Sequence, residues 1–210
     1  MKKSMCITYV VDGSLYVNMT NKCSNRCEFC IRNNGDGAYG SDSLWLEREP
    51  TLDEVMCSVF SRDLSEYPEL IFCGYGEPTY RLADAVSVAK AVKGKYPHIR
   101  IRINTNGHSD LILGKDTAPM YEGAFDVVSI SLNTPSPARY QEICHSIFGE
   151  ASHSALISFA ERVKHYVPKV VLSVVKETLT PEEIEQCKSI ADSAGVTLRI
   201  RDYIGPEDQN

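Results

Sequence analysis

The chain has 210 residues, with 22 Lys and Arg against 28 Asp and Glu and a formal net charge of −6. This length allows one domain with a sizeable core, and 43% hydrophobic and 24% charged residues are ordinary for a globular protein. The acidic balance argues against a large nucleic-acid footprint but leaves a local basic patch open. No apolar run approaches the length of a membrane-spanning helix and no apolar signal core is present, so we expect a cytoplasmic protein without a membrane partner.

The N-terminal part is predicted to form a hairpin. Apolar runs at 7–11 and 15–19 flank Asp12-Gly13, a dipeptide typical of a two-residue turn. We expect an extra N-terminal strand within 1–14 that leads into the first strand of a single core domain over 15–205.

From residue 51 onward, helical and strand patterns alternate with short connections. Thr51 and Thr180 are predicted helix N-caps, the first with Glu54 in a capping box. The predicted helices cover 51–67, 82–95, parts of 109–122, 137–166 with a break near residue 148, and 181–193. The predicted strands cover 70–73, 99–103, 125–132, 170–175 and 196–203. This alternation favours a parallel sheet with helical crossovers.

Three cysteines, Cys23, Cys27 and Cys30, follow the first core strand in the pattern CxxxCxxC. Cysteines at this spacing can bind one iron–sulfur cube and leave its fourth iron open for chemistry. A structural zinc site normally needs four ligands, one more than these three cysteines supply. A disulfide framework is not expected, because the sequence has no secretory signal. A redox pair of Cys27 and Cys30 leaves Cys23 without a role. The spacing alone leaves these alternatives open.

The segment 32–50 is rich in Gly, Asn, Ser and Asp and lacks clear periodicity. It is therefore predicted to be a functional loop over the cysteines. Trp45, the only tryptophan, either covers the site or anchors the loop, and anchoring is favoured.

Two further motifs directly follow predicted strands. In Gly74-Tyr75-Gly76-Glu77-Pro78, glycines allow a close backbone approach to a ligand, and a fixed carboxylate can hold an ammonium group. Asn104-Thr105-Asn106-Gly107 ends the next strand. Either motif is also compatible with an ordinary strand-to-helix turn.

The cysteine pattern, with Phe29 before its last cysteine, resembles the CxxxCxΦC signature of the radical S-adenosylmethionine (SAM) superfamily. The resemblance implies an α/β fold, a partial TIM-like barrel of six strand–helix units, here with an extra N-terminal hairpin strand and no auxiliary-cluster domain. It implies a [4Fe–4S] cluster on Cys23, Cys27 and Cys30, SAM, and an external one-electron donor of the flavodoxin or ferredoxin type. Such enzymes reductively cleave SAM to a 5′-deoxyadenosyl radical, which abstracts hydrogen from the substrate.

The resemblance also implies SAM-binding roles for particular residues. The segment Gly74-Tyr75-Gly76-Glu77 resembles the GGEP motif of the superfamily, with Tyr75 in place of the usual second glycine. Glu77 then matches the residue that binds the amino group of SAM. By the same resemblance, Asn104 or Asn106 would bind the ribose of SAM. Ser131 and Asn133 would bind the ribose or the carboxylate, and Phe29 would pack on the adenine.

Strand alternation predicts a polar barrel lumen, because the helices need the apolar face. Four inward cations result: Arg100, Arg102, Arg199 and Arg201. Buried cations need anionic partners, and we expect the SAM carboxylate to be one and Glu69 on the neighbouring strand to be another. We hypothesise that the remaining charge selects an anionic substrate group. Pairing with local carboxylates at the lower end of the barrel is the alternative.

A closer resemblance is carried by residues 15–32, with 44–46 and 49–51, which look like the TatD-associated radical SAM proteins. That group name does not establish a reaction, and it suggests a nucleic-acid or nucleotide substrate only weakly. One alternative is a small activase- or deazaguanine-synthase-like enzyme. The non-enzyme alternative is an iron–sulfur or zinc-binding interaction protein. The five histidines form no ligand motif, and we expect them to be solvated or to cap helices.

Overall fold

The computed structural model describes residues 2–203 and 205. They form a seven-stranded sheet in which the spatial order of the strands follows the chain. The strands are β1 Thr8–Val11, β2 Ser14–Val17, β3 Glu69–Phe72, β4 Arg100–Thr105, β5 Val127–Ser131, β6 Lys169–Val175 and β7 Thr197–Arg201.

The first two strands form the predicted hairpin. Asp12 and Gly13 both have positive φ, 47° and 73°, the conformation that a two-residue turn of this kind requires. From β2 to β7 every neighbouring pair is parallel, and the sheet ends at β1 and β7 without closing. The prediction of an α/β partial barrel with six parallel strands and an extra N-terminal strand is confirmed.

Helices connect the parallel strands and cover the apolar face of the sheet. They are α1 Leu52–Phe60, α2 Leu82–Lys95, α3 Ser109–Leu113, α4 Pro137–Cys144, α5 Ala151–Val163 and α6 Pro181–Ala194. Thr51 and Thr180 cap α1 and α6 in complete capping boxes. Across residues 2–203 and 205, no helix has the length and apolar character needed to cross a membrane.

Helix α1 ends at Phe60, earlier than the predicted end at residue 67. The side chain of Asp63 accepts hydrogen bonds from the amide and the hydroxyl of Ser65 and starts a separate 3-10 turn, Leu64–Glu66. Aspartate favours such local bonds over the continuation of a helix. The prediction followed the apolar spacing and missed this competing cap.

The two faces of the sheet differ in chemistry as predicted. Ile101, Ile103 and Val128 are fully buried in the core under the helices. The opposite face lines a polar lumen, in which Glu69 pairs with Arg100 at 2.9 Å and with Arg102 at 3.1 Å. The predicted partnership of Glu69 is thus confirmed with both arginines.

A second, smaller apolar cluster lies beneath the loop over 32–46. Its buried members come from β1, from the loop and from the segment after β3: Tyr9, Val11, Ala38, Leu44 and Tyr75. The loop is therefore packed against the hairpin and is not merely an exposed excursion.

The histidine prediction is right for His145, which caps α4 in a left-handed conformation with φ 46°. His108 stands at the N-cap position of α3 but its side chain makes no capping bond, and His153 lies inside α5. Both are buried, so the expectation of solvation is wrong for them. The His153 ring hydrogen-bonds to the carbonyl oxygen of Thr134 at 2.9 Å. A buried imidazole needs such partners, and sequence spacing does not reveal them.

Candidate functional site

The three cysteines lie on a loop that follows β2, at the carboxyl end of the parallel strands. The loop is fixed by the end of α4. The Arg26 amide donates to the Cys144 carbonyl at 2.9 Å, and the Glu28 amide donates to the Ile143 carbonyl at 3.0 Å. These bonds use carbonyls that a helix end leaves unpaired. The helix end thus positions the cysteine segment.

All three thiols are partly buried. Burial raises the pKa of Cys23 to about 12 and also raises the pKa of Cys30. The pKa of Cys27 is raised by a hydrogen bond with Cys144 and then by burial. Within residues 2–203 and 205, no three or more His, Cys, Asp or Glu side chains already stand at metal-binding spacing.

The electrostatic surroundings of the thiols are nevertheless shared. Cys27 interacts electrostatically with both Cys23 and Cys30, and the guanidinium of Arg32 acts to lower the pKa of each thiol. Arg32 is held by a hydrogen bond to the Asn25 carbonyl at 2.9 Å. A nearby cation favours the thiolates that bind a metal. Sequence reasoning missed Arg32, although it stands two residues after the motif.

Glu77 is buried beside this loop, with 4% of its surface exposed. Its Oε1 accepts hydrogen bonds from the amide and hydroxyl of Thr79, at 3.1 and 2.7 Å, and from the Thr105 hydroxyl at 2.8 Å. Its Oε2 accepts one from the Asn106 amide at 2.7 Å.

Burial raises the pKa of Glu77, and these hydrogen bonds act in the opposite direction. Within the described part of the chain, Glu77 forms no ion pair. The carboxylate is thus held by neutral donors, with no counter-charge in contact among residues 2–203 and 205.

The two glycines of the motif serve close packing within the chain. A Cβ on Gly74 would overlap the side chain of Asn18, and a Cβ on Gly76 would overlap the carbonyl oxygens of Thr20 and Lys22. The Glu77 amide also donates to the Lys22 carbonyl at 2.7 Å. The absent side chains therefore let the segment after β3 lie directly against the start of the cysteine loop.

Tyr75 tethers the loop over 32–46. Its hydroxyl donates toward the carbonyls of Gly35 and Gly37 at 2.9 and 2.8 Å, and its ring meets Trp45 edge-on at 5.2 Å between centroids. Burial raises the pKa of Tyr75 to about 12. Trp45 thus anchors the loop, as favoured from the sequence.

Asn106 is already engaged with the cysteine loop. Its Nδ2 donates to the Ser24 hydroxyl at 2.8 Å, and its Oδ1 accepts from the His108 amide at 3.1 Å. The His108 ring continues this network, 3.4 Å from the Ser24 hydroxyl and 3.2 Å from the Ser152 carbonyl. The ribose role of Asn106 stays a prediction, while its bonds here position Ser24, next to Cys23.

The remaining predicted SAM-binding residues surround the same end of the lumen. Burial raises the pKa of Cys73, and the Asn104 side chain acts to lower it, so the two side chains are neighbours. Phe29 packs partly buried against the core. Ser131 ends β5. Asn133 is 3% exposed and donates to the Cys144 sulfur at 3.3 Å, and within residues 2–203 and 205 its buried Oδ1 has no hydrogen-bond partner. Their roles toward a ligand stay predictions.

The two predicted cations of β7 lie at different depths. Burial lowers the pKa of Arg201, which also interacts electrostatically with Cys27 and Cys30. Arg199 instead lines the cavity that contains Glu69 and Arg100. Arg201 is thus two residues nearer the carboxyl end of β7, on the cysteine side, and Arg199 lies lower in the lumen. Arg199 is exposed, so the expectation that it is a buried cation is wrong.

Comparison with known proteins identifies the family. The model of the Radical SAM superfamily matches residues 17–189, which is most of the chain. The chain belongs to the radical SAM superfamily. It is 26% identical over 185 residues to the tungsten-containing aldehyde ferredoxin oxidoreductase cofactor-modifying protein of Pyrococcus furiosus, covering 84% of this chain and 46% of that protein.

Two further comparisons each cover about nine-tenths of the chain. GTP 3′,8-cyclase of Clostridium perfringens is 27% identical over 187 residues, covering 89% of this chain and 54% of that protein. SuiB of Streptococcus suis, in its complex with SAM, superposes with a TM-score of 0.61 at 16% identity, covering 90% of this chain and 38% of that one. The chain spans about half the length of the curated relatives it matches.

The residues present fit the cofactors that this superfamily uses, a [4Fe–4S] cluster and SAM. Cys23, Cys27 and Cys30 are soft sulfur donors on one fixed loop beside a shared cation, Arg32. The buried, uncompensated carboxylate of Glu77 suits an ammonium group. Both features lie at the carboxyl ends of the strands, where barrels of this type place their active sites.

Proposed function

We propose that this chain is a SAM-cleaving enzyme with its cluster on Cys23, Cys27 and Cys30 and the amino group of SAM on Glu77. When bound, the cluster and SAM supply a 5′-deoxyadenosyl radical, which removes a hydrogen atom from the substrate. An external donor of the flavodoxin or ferredoxin type supplies the electron. Because Arg201 lies near the cysteines, we assign it to an anionic group at this end of the lumen, the SAM carboxylate being the first candidate.

The proposal rests chiefly on the Glu77 carboxylate, which is buried and has no ion-pair partner among the described residues. A buried carboxylate without a counter-charge is costly unless a cation arrives with the ligand. Glu77 is also linked to the cysteine loop through the Lys22 carbonyl and through Asn106. These bonds join Glu77 to the cysteine loop, which supports an ammonium site beside a cluster site.

The experiment is anaerobic reconstitution with iron and sulfide, followed by dithionite, SAM and quantification of 5′-deoxyadenosine. We expect product from the wild-type protein and none from Cys30→Ala. Glu77→Gln is expected to weaken SAM binding roughly 10- to 100-fold, because a charge-assisted hydrogen bond is lost. Glu122→Gln, an exposed glutamate on the loop before β5, is the matched control.

Electron paramagnetic resonance of the reduced cluster gives a second readout. We expect SAM to alter the spectrum of the wild-type protein and to alter that of Glu77→Gln only at higher concentration. A well-formed cluster with an unaltered spectrum at saturating SAM would reject the proposal in favour of an iron–sulfur interaction protein. A spectral change without product would mean that cleavage requires the substrate, as in an activase-like enzyme.

For the finer classification we infer membership of the TatD-associated group. The support is the sequence over 15–32, 44–46 and 49–51. We also infer an anionic substrate, because the lumen holds more cations than carboxylates.

A further inference from the structure

A cavity of about 250 Å³ opens among the first residues of the parallel strands. We call it the basic chamber. It is lined by Glu69, Arg100, Arg102, Val127, Ser129, Lys169, Val171 and Arg199. Three of these residues begin β3, β4 and β6, so the chamber lies at the amino-terminal mouth of the barrel, opposite the cysteine loop.

The chamber carries a surplus of positive charge. Four cationic side chains face one carboxylate, and Glu69 already forms ion pairs with both Arg100 and Arg102. Within the described part of the chain, Lys169 and Arg199 form no ion pair. The lining residues thus carry a net charge of +3, and of the four cations Arg102 is partly buried while the other three are exposed to solvent. A monocarboxylate would offset only one of these three charges. A phosphate-class group carries the needed charge and has several acceptor oxygens.

The buried end of the chamber has an unsatisfied donor. The side chain of Arg102 is only 16% exposed, and its buried Nε has no hydrogen-bond partner among the residues that the structure describes. Guanidinium donors that lack acceptors mark a place where an anion lowers the free energy. Positive charge continues toward the cysteine end of the lumen at Arg201. Burial, and to a smaller extent the charge of Arg199, lowers the pKa of Arg201.

The geometry relates the chamber to the cysteine end of the lumen. Arg199 and Arg201 are two residues apart on β7, and Arg102 and Asn104 are two residues apart on β4. Two residues of strand correspond to about 7 Å. A group bound at Arg102 and Arg199 therefore lies about 7 Å below Asn104 and Arg201, a distance that a small molecule can span.

We propose that the basic chamber binds a phosphate group of the substrate through Arg102, Lys169 and Arg199, with the carbon skeleton extending up the lumen. This inference deepens the proposed function and rests on it for the assignment of the bound molecule as the substrate. The binding site itself does not depend on SAM cleavage. The substrate class is a phosphate ester or polyphosphate whose reacting carbon lies on the order of 7–10 Å from the phosphate.

The test is calorimetric titration of the cluster-loaded protein with pyrophosphate under anaerobic conditions, with and without SAM. We expect the double variant Lys169→Gln/Arg199→Gln to weaken binding at least about tenfold, because two charge-assisted contacts are lost. Lys90→Gln/Lys188→Gln removes the same charge from exposed positions on α2 and α6 and is expected to leave binding unchanged.

An equal loss of pyrophosphate affinity in the two double variants, or no binding at millimolar pyrophosphate, would overturn the proposed phosphate site in the chamber. Competition between pyrophosphate and SAM would also overturn it, because the anion would then lie at the cysteine end. Succinate binding as tightly as pyrophosphate would reject the phosphate class.

Two phosphate probes separate a substrate group from a free anion. Ribose 5-phosphate is expected to bind at least as tightly as inorganic phosphate, because its sugar has room in the lumen. Exclusion of the ester while phosphate binds would make this a site for a free ion and overturn the substrate assignment. Formation of 5′-deoxyadenosine, measured separately, shows whether the proposed function fails independently of the chamber.

Discussion

At the scale of single residues, Gly76 determines how closely the segment after β3 approaches the cysteine loop. A Cβ there would overlap the backbone carbonyls of Thr20 and Lys22, which cannot move without displacing that loop. We expect Gly76→Ala to lower the free energy of unfolding by about 2 kcal/mol or more and to reduce iron loading. Urea unfolding and iron content per chain are the measurements.

Gly94 provides the matched control because it lies on α2 with open space where its Cβ would be. Gly94→Ala is expected to stabilise the protein by about 0.5–1 kcal/mol, since alanine favours the helix. If both substitutions had the same small effect, the close approach at Gly76 would not be a structural requirement.

Single-residue predictions from the sequence succeeded where parity or local spacing determines the neighbours. Glu69 follows strand alternation, and its pairing with Arg100 and Arg102 needs only neighbouring strands in register. The engagement of Asn106 with Ser24 was not predictable, because it joins residues 82 positions apart. The ligand roles assigned by resemblance stay predictions.

At the scale of elements, the loop over 32–46 is held by Tyr75 from below. Tyr75→Phe removes the one hydroxyl hydrogen that the two loop carbonyls share and leaves the ring contact with Trp45 in place. We expect the loop to open more often, by the free energy of this shared hydrogen bond, about 1–2 kcal/mol. Limited proteolysis within the loop should then be roughly 5- to 30-fold faster.

Tyr166→Phe is the control for this loop experiment. Tyr166 is partly buried on the core at the far end of α5, away from the loop. The Tyr166→Phe variant should therefore show the wild-type rate of proteolysis within 32–46. Equal proteolysis rates for the wild type and Tyr75→Phe would mean that the apolar cluster alone fixes the loop.

Element boundaries were predictable where caps and periodicity agree. Helix α2 was predicted to the residue, and α6 begins at its predicted cap, Thr180. Helix α1 was overextended because Asp63 introduces a competing turn. The loop over 32–46 was recognised as a loop, but its tethers depend on long-range contacts for which the sequence has no periodic signal.

At the scale of the whole molecule, the partial barrel separates two chemistries along one lumen. Soft sulfur donors and Glu77 lie at the carboxyl ends of the strands, and the cations of the basic chamber lie at the amino ends. Strand parity predicted the polar lumen from sequence alone. The depth at which each arginine lies follows from the register and tilt of the strands, which parity does not provide.

The stability of the whole fold is expected to depend on pH through His108, which packs against Tyr140 and Phe148 in the buried interior. Burial lowers the pKa of His108 to about 4. An unfolded histidine titrates near 6.5, so the unfolded state binds the extra proton between these values. The stabilisation is therefore complete above pH 6.5 and is lost as the pH falls toward 4.

Between pH 7.5 and pH 5 this group alone is expected to cost about 2 kcal/mol of unfolding free energy. His108→Gln removes the titrating ring, so urea unfolding at the two pH values should differ by about 2 kcal/mol less in this variant than in the wild type. The exposed His98, replaced by Gln, should leave the wild-type difference intact. The buried His153, whose pKa is also lowered by burial, contributes in the same direction to all three proteins and so does not affect the comparison. An unchanged pH dependence in His108→Gln would mean that this ring is hydrated or protonated in the folded state.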